Sequence, residues 1–182
     1  MSDATGRRHF LFWTLALLGL GLDIGSKYAV FASMGFPSNP ACLAGNVLRF
    51  HTARNRGTFF GLGGETGWLG TVLVVLTVLM IAYVIYIYLV PPKESRSRIG
   101  LHVTGLALVL AGASGNLYDR VVFRYVRDFI DLGIPGWKRW PTFNLADVWL
   151  VAGITLYVFA LMRTGKEKGD GTGVNGEIAR DG

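Results

Sequence analysis

The residues best suited to chemistry are four aspartates in the second half of the chain: Asp119, Asp128, Asp131 and Asp147. Two carboxyl groups held close together resist joint ionisation, so such a pair can share one proton. The ionised member can then activate a water molecule while the protonated member polarises a carbonyl group. This is the chemistry of an aspartic protease, and it requires neither a metal nor a cofactor.

Several polar residues are spaced so that they share one face of a helix. Three sets lie at i, i+3 or i, i+4 spacing: Asn116 with Asp119 and Arg120, Asn144 with Asp147, and Asp23 with Lys27. Interfacial caps or salt bridges are an alternative interpretation for Asp23 with Lys27 and for Arg120 alone. For the whole set a site is favoured, because a charge inside a membrane costs at least ~2.5 to 3.5 kcal/mol and usually marks function.

Histidine and cysteine offer fewer possibilities. His9 and His102 fall near the opposite ends of their segments from these polar residues. Cys42 and His51 could form a thiol dyad, but their sequence context does not support one. Because Cys42 is the single cysteine, an internal disulfide is excluded. No cluster of cysteine and histidine has the spacing of a metal site.

Composition places these residues in a membrane protein. Of the 182 residues, 51% are hydrophobic, and the mean hydropathy is +0.40. The net charge of +6 and the pI near 9.7 could suggest nucleic acid as a partner. The basic residues are instead scattered at the ends of apolar runs, where they favour anionic lipid headgroups. We therefore expect membrane lipids, and no nucleic acid, as partners.

Four segments are long enough to cross a bilayer, which requires about 20 apolar residues. They cover residues 10–31, 66–91, 99–122 and 143–162. Residues 32–65 form the only sizeable segment outside the membrane, and a strand or hairpin is plausible around residues 46–55. The predicted fold is therefore all-α and integral to the membrane, with four transmembrane helices and a small extracytoplasmic β-containing segment. Residues 1–165 make one domain, and the Gly-rich residues 166–182 make a disordered tail.

Basic residues in the loop at residues 91–98 and near both termini favour a cytoplasmic location for both termini. The third segment then runs outward and the fourth runs back. Asn116 and Asp119 near the end of one, and Asn144 and Asp147 near the start of the other, share one depth near the outer face. Asp23 and Lys27 lie in the outer half of the first segment.

Five motifs in this order resemble the lipoprotein signal peptidases, the type II signal peptidases of bacteria. They are DIGSK (23–27), NRGTFFG (55–61), GASGNLYDR (112–120), VRDF (126–129) and FNLAD (143–147). The resemblance implies an aspartic endopeptidase of the bacterial cytoplasmic membrane. Such an enzyme cleaves the signal peptide of diacylglyceryl-modified prolipoproteins just before the lipidated cysteine, uses no cofactor, and is inhibited by globomycin.

The resemblance also implies roles for individual residues. The catalytic pair would be Asp128 and Asp147. The residues that bind substrate or support the site would be Asn55, Gly57, Asn116, Asp119, Arg120, Asn144, Asp23 and Lys27. In this interpretation Asp119 braces the site beside Arg120 rather than acting as the catalytic acid.

The chain departs from the family pattern at three positions. Thr58 and Phe59 stand where the family usually has alanines, and Arg127 stands where it usually has valine. An arginine there would lower the pKa of a neighbouring acid if their side chains met.

Two other classes of function are alternatives. A small transporter or proton-linked carrier also uses acids and amides within helices, but it would need a polar path to both faces. The second segment has no charged residue, which argues against such a path. A membrane scaffold without catalytic activity is the remaining alternative.

Overall fold

The structure, a computed structural model, describes residues 3–57, 68–91 and 99–170. In these ranges the chain forms four helices and three strands. The helices are α1 (Asp3–Met34), α2 (Trp68–Leu89), α3 (Ile99–Phe123) and α4 (Leu145–Asp170). The strands are β1 (Ala41–Ala44), β2 (Leu48–Asn55) and β3 (Val126–Leu132).

Each helix contains a stretch long and apolar enough to cross a membrane, which confirms the predicted four-helix membrane fold. The apolar stretches are shorter than some of the helices. Helix α1 begins at Asp3, before the apolar run, and α4 continues to Asp170, so residues 166–170 of the predicted tail are helical. The rest of that tail lies outside the described residues. Hydropathy marks only the part of a helix that suits hydrocarbon, whereas backbone hydrogen bonds continue into more polar sequence.

Helix α3 lies at the centre of the molecule. Two-thirds of its apolar stretch (67%) is buried, against 22% or less in each of the other three, so those three present most of their surface outward. Its closest neighbour is α4, and the two backbones meet at Gly105 and Gly153. A Cβ atom at Gly105 would lie 2.8 Å from the carbonyl oxygen of Gly153, so only glycine permits this approach. Small residues at helix contacts allow this kind of close packing in membranes.

The strands form one antiparallel sheet in the order β1-β2-β3. Strands β1 and β2 make the predicted hairpin, which turns through Gly45 and Asn46, both with positive φ. Strand β3 was not predicted. It comes from the α3–α4 connection and pairs with β2, so that Ala53 lies opposite Asp128 and Arg49 opposite Asp131.

Strand β3 escaped prediction because it is covered on both faces. Its first four residues, Val126 to Phe129, are all buried, so polar and apolar residues do not alternate as they do in a half-exposed strand. Its partner β2 is also more than 70 residues away in sequence. The result is a sheet that reaches over the ends of α3 and α4 and carries Asp128 to them.

Candidate active site

Lys27 organises the part of the site that lies between α1 and α3. Its side chain is fully buried, and its ammonium group contacts three acceptors. Nζ lies 2.8 Å from Oδ2 of Asp23, 3.2 Å from Oδ1 of Asn116 and 3.3 Å from Oδ2 of Asp119. The polar residues predicted to converge from α1 and α3 therefore do meet, and a buried ammonium group receives the partners that it requires.

The second carboxylate oxygen of Asp23 reaches across to α4. Oδ1 accepts a hydrogen bond of 2.8 Å from the backbone N–H of Ala146, in the first turn of α4. That N–H has no partner within its own helix, so Asp23 caps α4 from α1. Gly115 makes this contact possible, because a Cβ atom at that position would collide with Oδ2 of Asp23.

Asp119 is paired with Arg127, which the sequence analysis did not connect to it. The Arg127 guanidinium donates to Oδ1 of Asp119 through Nε (3.1 Å) and Nη2 (2.7 Å), and its backbone N–H donates to Oδ2 (2.9 Å). The guanidinium also lies 4.3 Å from the ring centroids of both Tyr28 and Phe123. Asp119 thus braces the start of β3 against α3, next to Asp128.

Arg120 faces the other two acids. Its charge interacts electrostatically with Asp147 and Asp128 as well as with Asp119. The side chains of consecutive residues on a helix point about 100° apart, so those of Arg120 and Asp119 have different neighbours.

Asp147 lies in the first turn of α4 in a reciprocal cap. The side chain of Asn144 accepts a hydrogen bond from the backbone N–H of Asp147 (3.2 Å), and Oδ2 of Asp147 accepts one from the backbone N–H of Asn144 (3.1 Å). This is the capping-box arrangement with asparagine at the N-cap and an acid at N3. Oδ1 of Asp147 accepts a further hydrogen bond of 2.9 Å from the Asn116 amide.

Asp128 approaches the same place from β3 and is only 2% exposed. Its Oδ1 accepts a hydrogen bond of 2.6 Å from Nδ2 of Asn144, and its carboxyl group also accepts one from the Asn55 side chain. Burial and the negative charge of Asp147 raise the pKa of Asp128 to about 7, although the two amides and the Lys27 charge oppose that shift.

Two asparagines connect the acids. Asn116 donates to Asp147, Asn144 donates to Asp128, and Asn144 also donates to Oδ1 of Asn116 over 3.2 Å. The two carboxyl groups are therefore held in one hydrogen-bonded network whose members come from β3, α3 and α4. Both asparagines are buried, so each amide has a fixed set of partners.

Asn55 and Gly57 belong to the same side of the site. Gly57 has φ of +99°, which favours glycine, and its N–H donates 2.9 Å to the Asn55 side-chain oxygen. This turn leaves the Asn55 amide nitrogen directed at Asp128. Thr58 and Phe59, which follow it, lie outside the described residues.

Asp131 is separate from this network, although the sequence grouped it with the other three aspartates. Arg49 and Arg139 bind its two carboxylate oxygens, with contacts of 2.7 Å and 2.6 Å, respectively. These guanidinium groups hold the pKa of Asp131 below its usual range despite partial burial. Cys42 is separate as well, since its thiol donates to the Asn46 side chain and no bond to His51 is formed.

The charged groups at the site balance when they hold one extra proton. The groups that form ion pairs or interact electrostatically here comprise four acids, Asp23, Asp119, Asp128 and Asp147, and three cations, Lys27, Arg120 and Arg127. This set is neutral when one of the four carboxyl groups is protonated. Within the described ranges, no group of three His, Cys, Asp or Glu residues is arranged to hold a metal ion.

The family model of signal peptidase (SPase) II matches residues 15–163 of the chain. The chain belongs to the signal peptidase II family. A lipoprotein signal peptidase of Moorella thermoacetica is 36% identical over 159 residues, which cover 87% of this chain and 97% of that protein. One of Psychromonas ingrahamii is 33% identical over 146 residues, 80% of each chain.

Solved structures show the same fold. Two bacterial membrane enzymes superpose with TM-scores of 0.71 and 0.69, at 24% and 27% sequence identity. They cover 93% and 84% of this chain, and 94% and 92% of their own. The family resemblance predicted from the five motifs is confirmed. This signal peptidase II is a multi-pass bacterial membrane protein with peptidase function, and the carrier alternative is not supported.

Proposed function

We propose that this signal peptidase II is an aspartic endopeptidase with Asp128 and Asp147 as its catalytic pair. The observation that carries the proposal is the buried Asp128 carboxyl group, whose pKa is raised to about 7 by burial and by the charge of Asp147. A pair in this condition holds one proton near neutral pH, and the pair titrates as a unit. One proton also neutralises the charge of the surrounding acids and cations.

The reaction follows from the different surroundings of the two acids. Asp147, whose carboxylate accepts two hydrogen bonds and lies near the Arg120 charge, removes a proton from a water molecule as the water oxygen attacks the carbonyl carbon. Asp128 gives its proton to the carbonyl oxygen, so a neutral tetrahedral gem-diol forms. The proton on Asp147 then passes to the amide nitrogen, and the C–N bond breaks. A hydroxyl proton returns to Asp128 as the new carboxyl group forms.

The other predicted site residues hold this pair in place. Asn55, Asn116 and Asn144 supply amide donors to the two acids, and Gly57 fixes the direction of Asn55. Arg120 places a positive charge near both carboxyl groups. Asp23, Lys27 and Asp119 join α1, α3, α4 and β3 beneath them, which keeps the geometry fixed during the reaction.

The substrates that we propose are prolipoproteins carrying a diacylglyceryl cysteine, cut just before that residue. The curated relatives are named lipoprotein signal peptidases, which supports this substrate class. The pair lies at the ends of α3 and α4, which are long enough to cross the bilayer. A lipid-modified signal helix enters between the helices and presents its peptide bond at that level, near the outer face of the cytoplasmic membrane, with both termini of the enzyme cytoplasmic. Residues 1–165 act as one peptidase domain.

The decisive experiment measures cleavage of a purified diacylglyceryl prolipoprotein by the Asp128→Asn and Asp147→Asn variants. Both are expected to lose activity, while Asp131→Asn, from the same strand as Asp128, retains it. Globomycin is expected to inhibit the parent enzyme. Full activity in either of the first two variants would overturn the catalytic assignment, and cleavage of unlipidated precursors at an equal rate would overturn the substrate assignment.

A further inference from the structure

The end of the sheet far from Asp128 forms an exposed apolar surface, which we call the apolar tip. It consists of the β1–β2 turn, residues 43–47, and the hairpin that follows β3, residues 132–140. The side chains of Trp137 and Trp140 are 74% and 71% exposed. Leu43, Val47 and Ile134 are exposed beside them. This tip lies outside the four apolar helices and outside the proposed active site.

The tip is rigidly built. The hairpin is closed by backbone hydrogen bonds from Ile134 to Lys138 (2.8 Å) and from Trp140 to Leu132 (2.7 Å). Arg139 binds both Asp131 (2.6 Å) and the Asn46 carbonyl oxygen (2.9 Å), which ties the hairpin to the β1–β2 turn. Two large aromatic side chains are therefore displayed on a fixed support rather than on a loose loop.

The charge of the tip is positive. Residues 43–47 and 132–140 contain Lys138 and Arg139 and no acid, and the neighbouring Asp131 is outweighed by Arg49 and Arg139. Lys138 is exposed, and its ammonium group lies 6.0 Å from the Trp137 ring. Exposed tryptophan next to lysine is the combination found where proteins contact the headgroup layer of a bilayer, because indole prefers that layer and lysine binds lipid phosphate.

The geometry sets the orientation that the sheet needs if the apolar tip is to contact the headgroup layer. Asp128 contacts Asn144 at the beginning of α4, so this part of β3 is at the level of the helix ends. Leu132 lies about 13 Å farther along the strand at ~3.3 Å per residue. The headgroup layer is only about 5 to 7 Å thick on each side. A sheet standing upright would carry both tryptophans through that layer into water, whereas a sheet lying along the membrane keeps them in it.

From these observations we propose that the apolar tip is a membrane-docking surface that seats in the headgroup layer of an anionic phospholipid bilayer. The sheet then lies along the membrane, anchored at one end by Asp119 and Arg127 and at the other by lipid. The lipid contact fixes the depth of β3 relative to the spanning helices. It requires no particular catalytic assignment for Asp128.

Tryptophan fluorescence tests the proposal in vesicles of phosphatidylcholine and phosphatidylglycerol. The lipids carry bromine either near the headgroup end or near the methyl end of their acyl chains, and iodide serves as the quencher in water on both sides of the membrane. A full-length variant with Trp13, Trp68 and Trp149 changed to phenylalanine reports Trp137 and Trp140 alone. Its emission is expected to be quenched most by bromine near the headgroups and least by iodide.

A second measurement uses an almost native chain. In the five-tryptophan enzyme, the changes Trp137→Phe and Trp140→Phe together are expected to remove a large part of the quenching by bromine near the headgroups. Lys138→Glu is expected to weaken that quenching in anionic vesicles and to leave it unchanged in neutral ones. Strong iodide quenching of Trp137 and Trp140 without bromolipid quenching would overturn the proposal and would indicate that a protein, or nothing, covers the tip.

Discussion

Asp128 and Asp131 lie three residues apart in β3 and have opposite surroundings. Asp128 is held by two amides and faces another carboxyl group, and its pKa is raised to about 7. Asp131 is held by two guanidinium groups, and its pKa is lowered. Amides hydrogen-bond a carboxyl group without cancelling its charge, so burial still favours the proton; arginines cancel the charge and favour ionisation. Burial makes the largest contribution to the raised pKa of Asp128, and its hydrogen-bond partners do not offset it, whereas the two arginines more than offset the effect of burial on the pKa of Asp131.

The largest expected difference between the two acids is in the cleavage rate. Asp128→Asn removes the group that we propose to donate a proton, so kcat should fall by about 10²- to 10⁴-fold. Asp131→Asn changes a salt bridge away from the network and should leave kcat within a few-fold of the parent. Cleavage of a diacylglyceryl prolipoprotein measures both. Similar losses in the two variants would show that β3 as a whole, and not Asp128, supports activity.

The next largest difference is in the free energy of unfolding. It compares the Lys27 ion pairs beneath the Asp128 site with the Arg49 ion pair of Asp131. Lys27→Met leaves Asp23 and Asp119 buried without their shared cation, and the free energy of unfolding should fall by ~3 to 5 kcal/mol. Arg49 is half-buried, and Arg139 still binds Asp131 when Arg49 is changed. Arg49→Met should therefore cost about 1 kcal/mol or less. Denaturation in detergent micelles measures the free energy of unfolding of both variants. Equal losses would contradict the expectation that the buried Lys27 pairs contribute more than the half-buried Arg49 pair.

The pH dependence should also separate the two acids. As the pH rises through about 7, Asp128 loses its proton, and the cleavage rate should fall by up to about tenfold per pH unit. Asp131→Asn should show the same profile. A rate that is constant to high pH would argue against a protonated Asp128 in catalysis.

Stability should change with pH in opposite senses for the two sites. Because the pKa of Asp128 is raised on folding, the folded chain binds the extra proton, and the free energy of unfolding falls as the pH rises from about 4 to about 7. Asp131, with its lowered pKa, stabilises the fold at neutral pH, and that contribution is lost as the pH falls through the lowered value. Melting curves of the two asparagine variants against pH measure each contribution.

The smallest expected effect concerns the cap that holds Asp147. Asn144→Asp keeps an N-cap acceptor but replaces the amide donor to Asp128, whereas Asn144→Ala removes both. The alanine change should cost ~1 kcal/mol for the lost cap, and the aspartate change no less, because it keeps the cap but sets a third carboxyl group against Asp128. Activity should fall in both. An active Asn144→Asp variant would show that the amide donor is not required.

The sequence was sufficient for features that depend on local pattern. Apolar runs predicted the four helices, and i, i+3 and i, i+4 spacings predicted that Asp23, Lys27 and Asn116 would converge. Strand β3 was missed because it is buried on both faces and pairs with a distant strand. The ion pair between Asp119 and Arg127 was not predicted. It forms because the backbone turns after α3 and brings Arg127 back onto Asp119.

The separation of Asp131 from the other acids could not be predicted from the sequence either, because its partner Arg49 is 82 residues away in the chain. Contacts of that range depend on the register between β2 and β3, which is irregular between Phe50 and Ala53. A single sequence gives no measure of such a register.

At Gly115 the absence of a side chain is itself a structural requirement. Any other residue at this position would displace Asp23, which both pairs with Lys27 and caps α4 beside Asp147. Gly115 has no side chain that could react, so mutational surveys that look for reactive groups would pass over it. Its tolerance to change is nevertheless set by Asp23, because a carbon added at Gly115 would displace a carboxylate that links α1, α3 and α4.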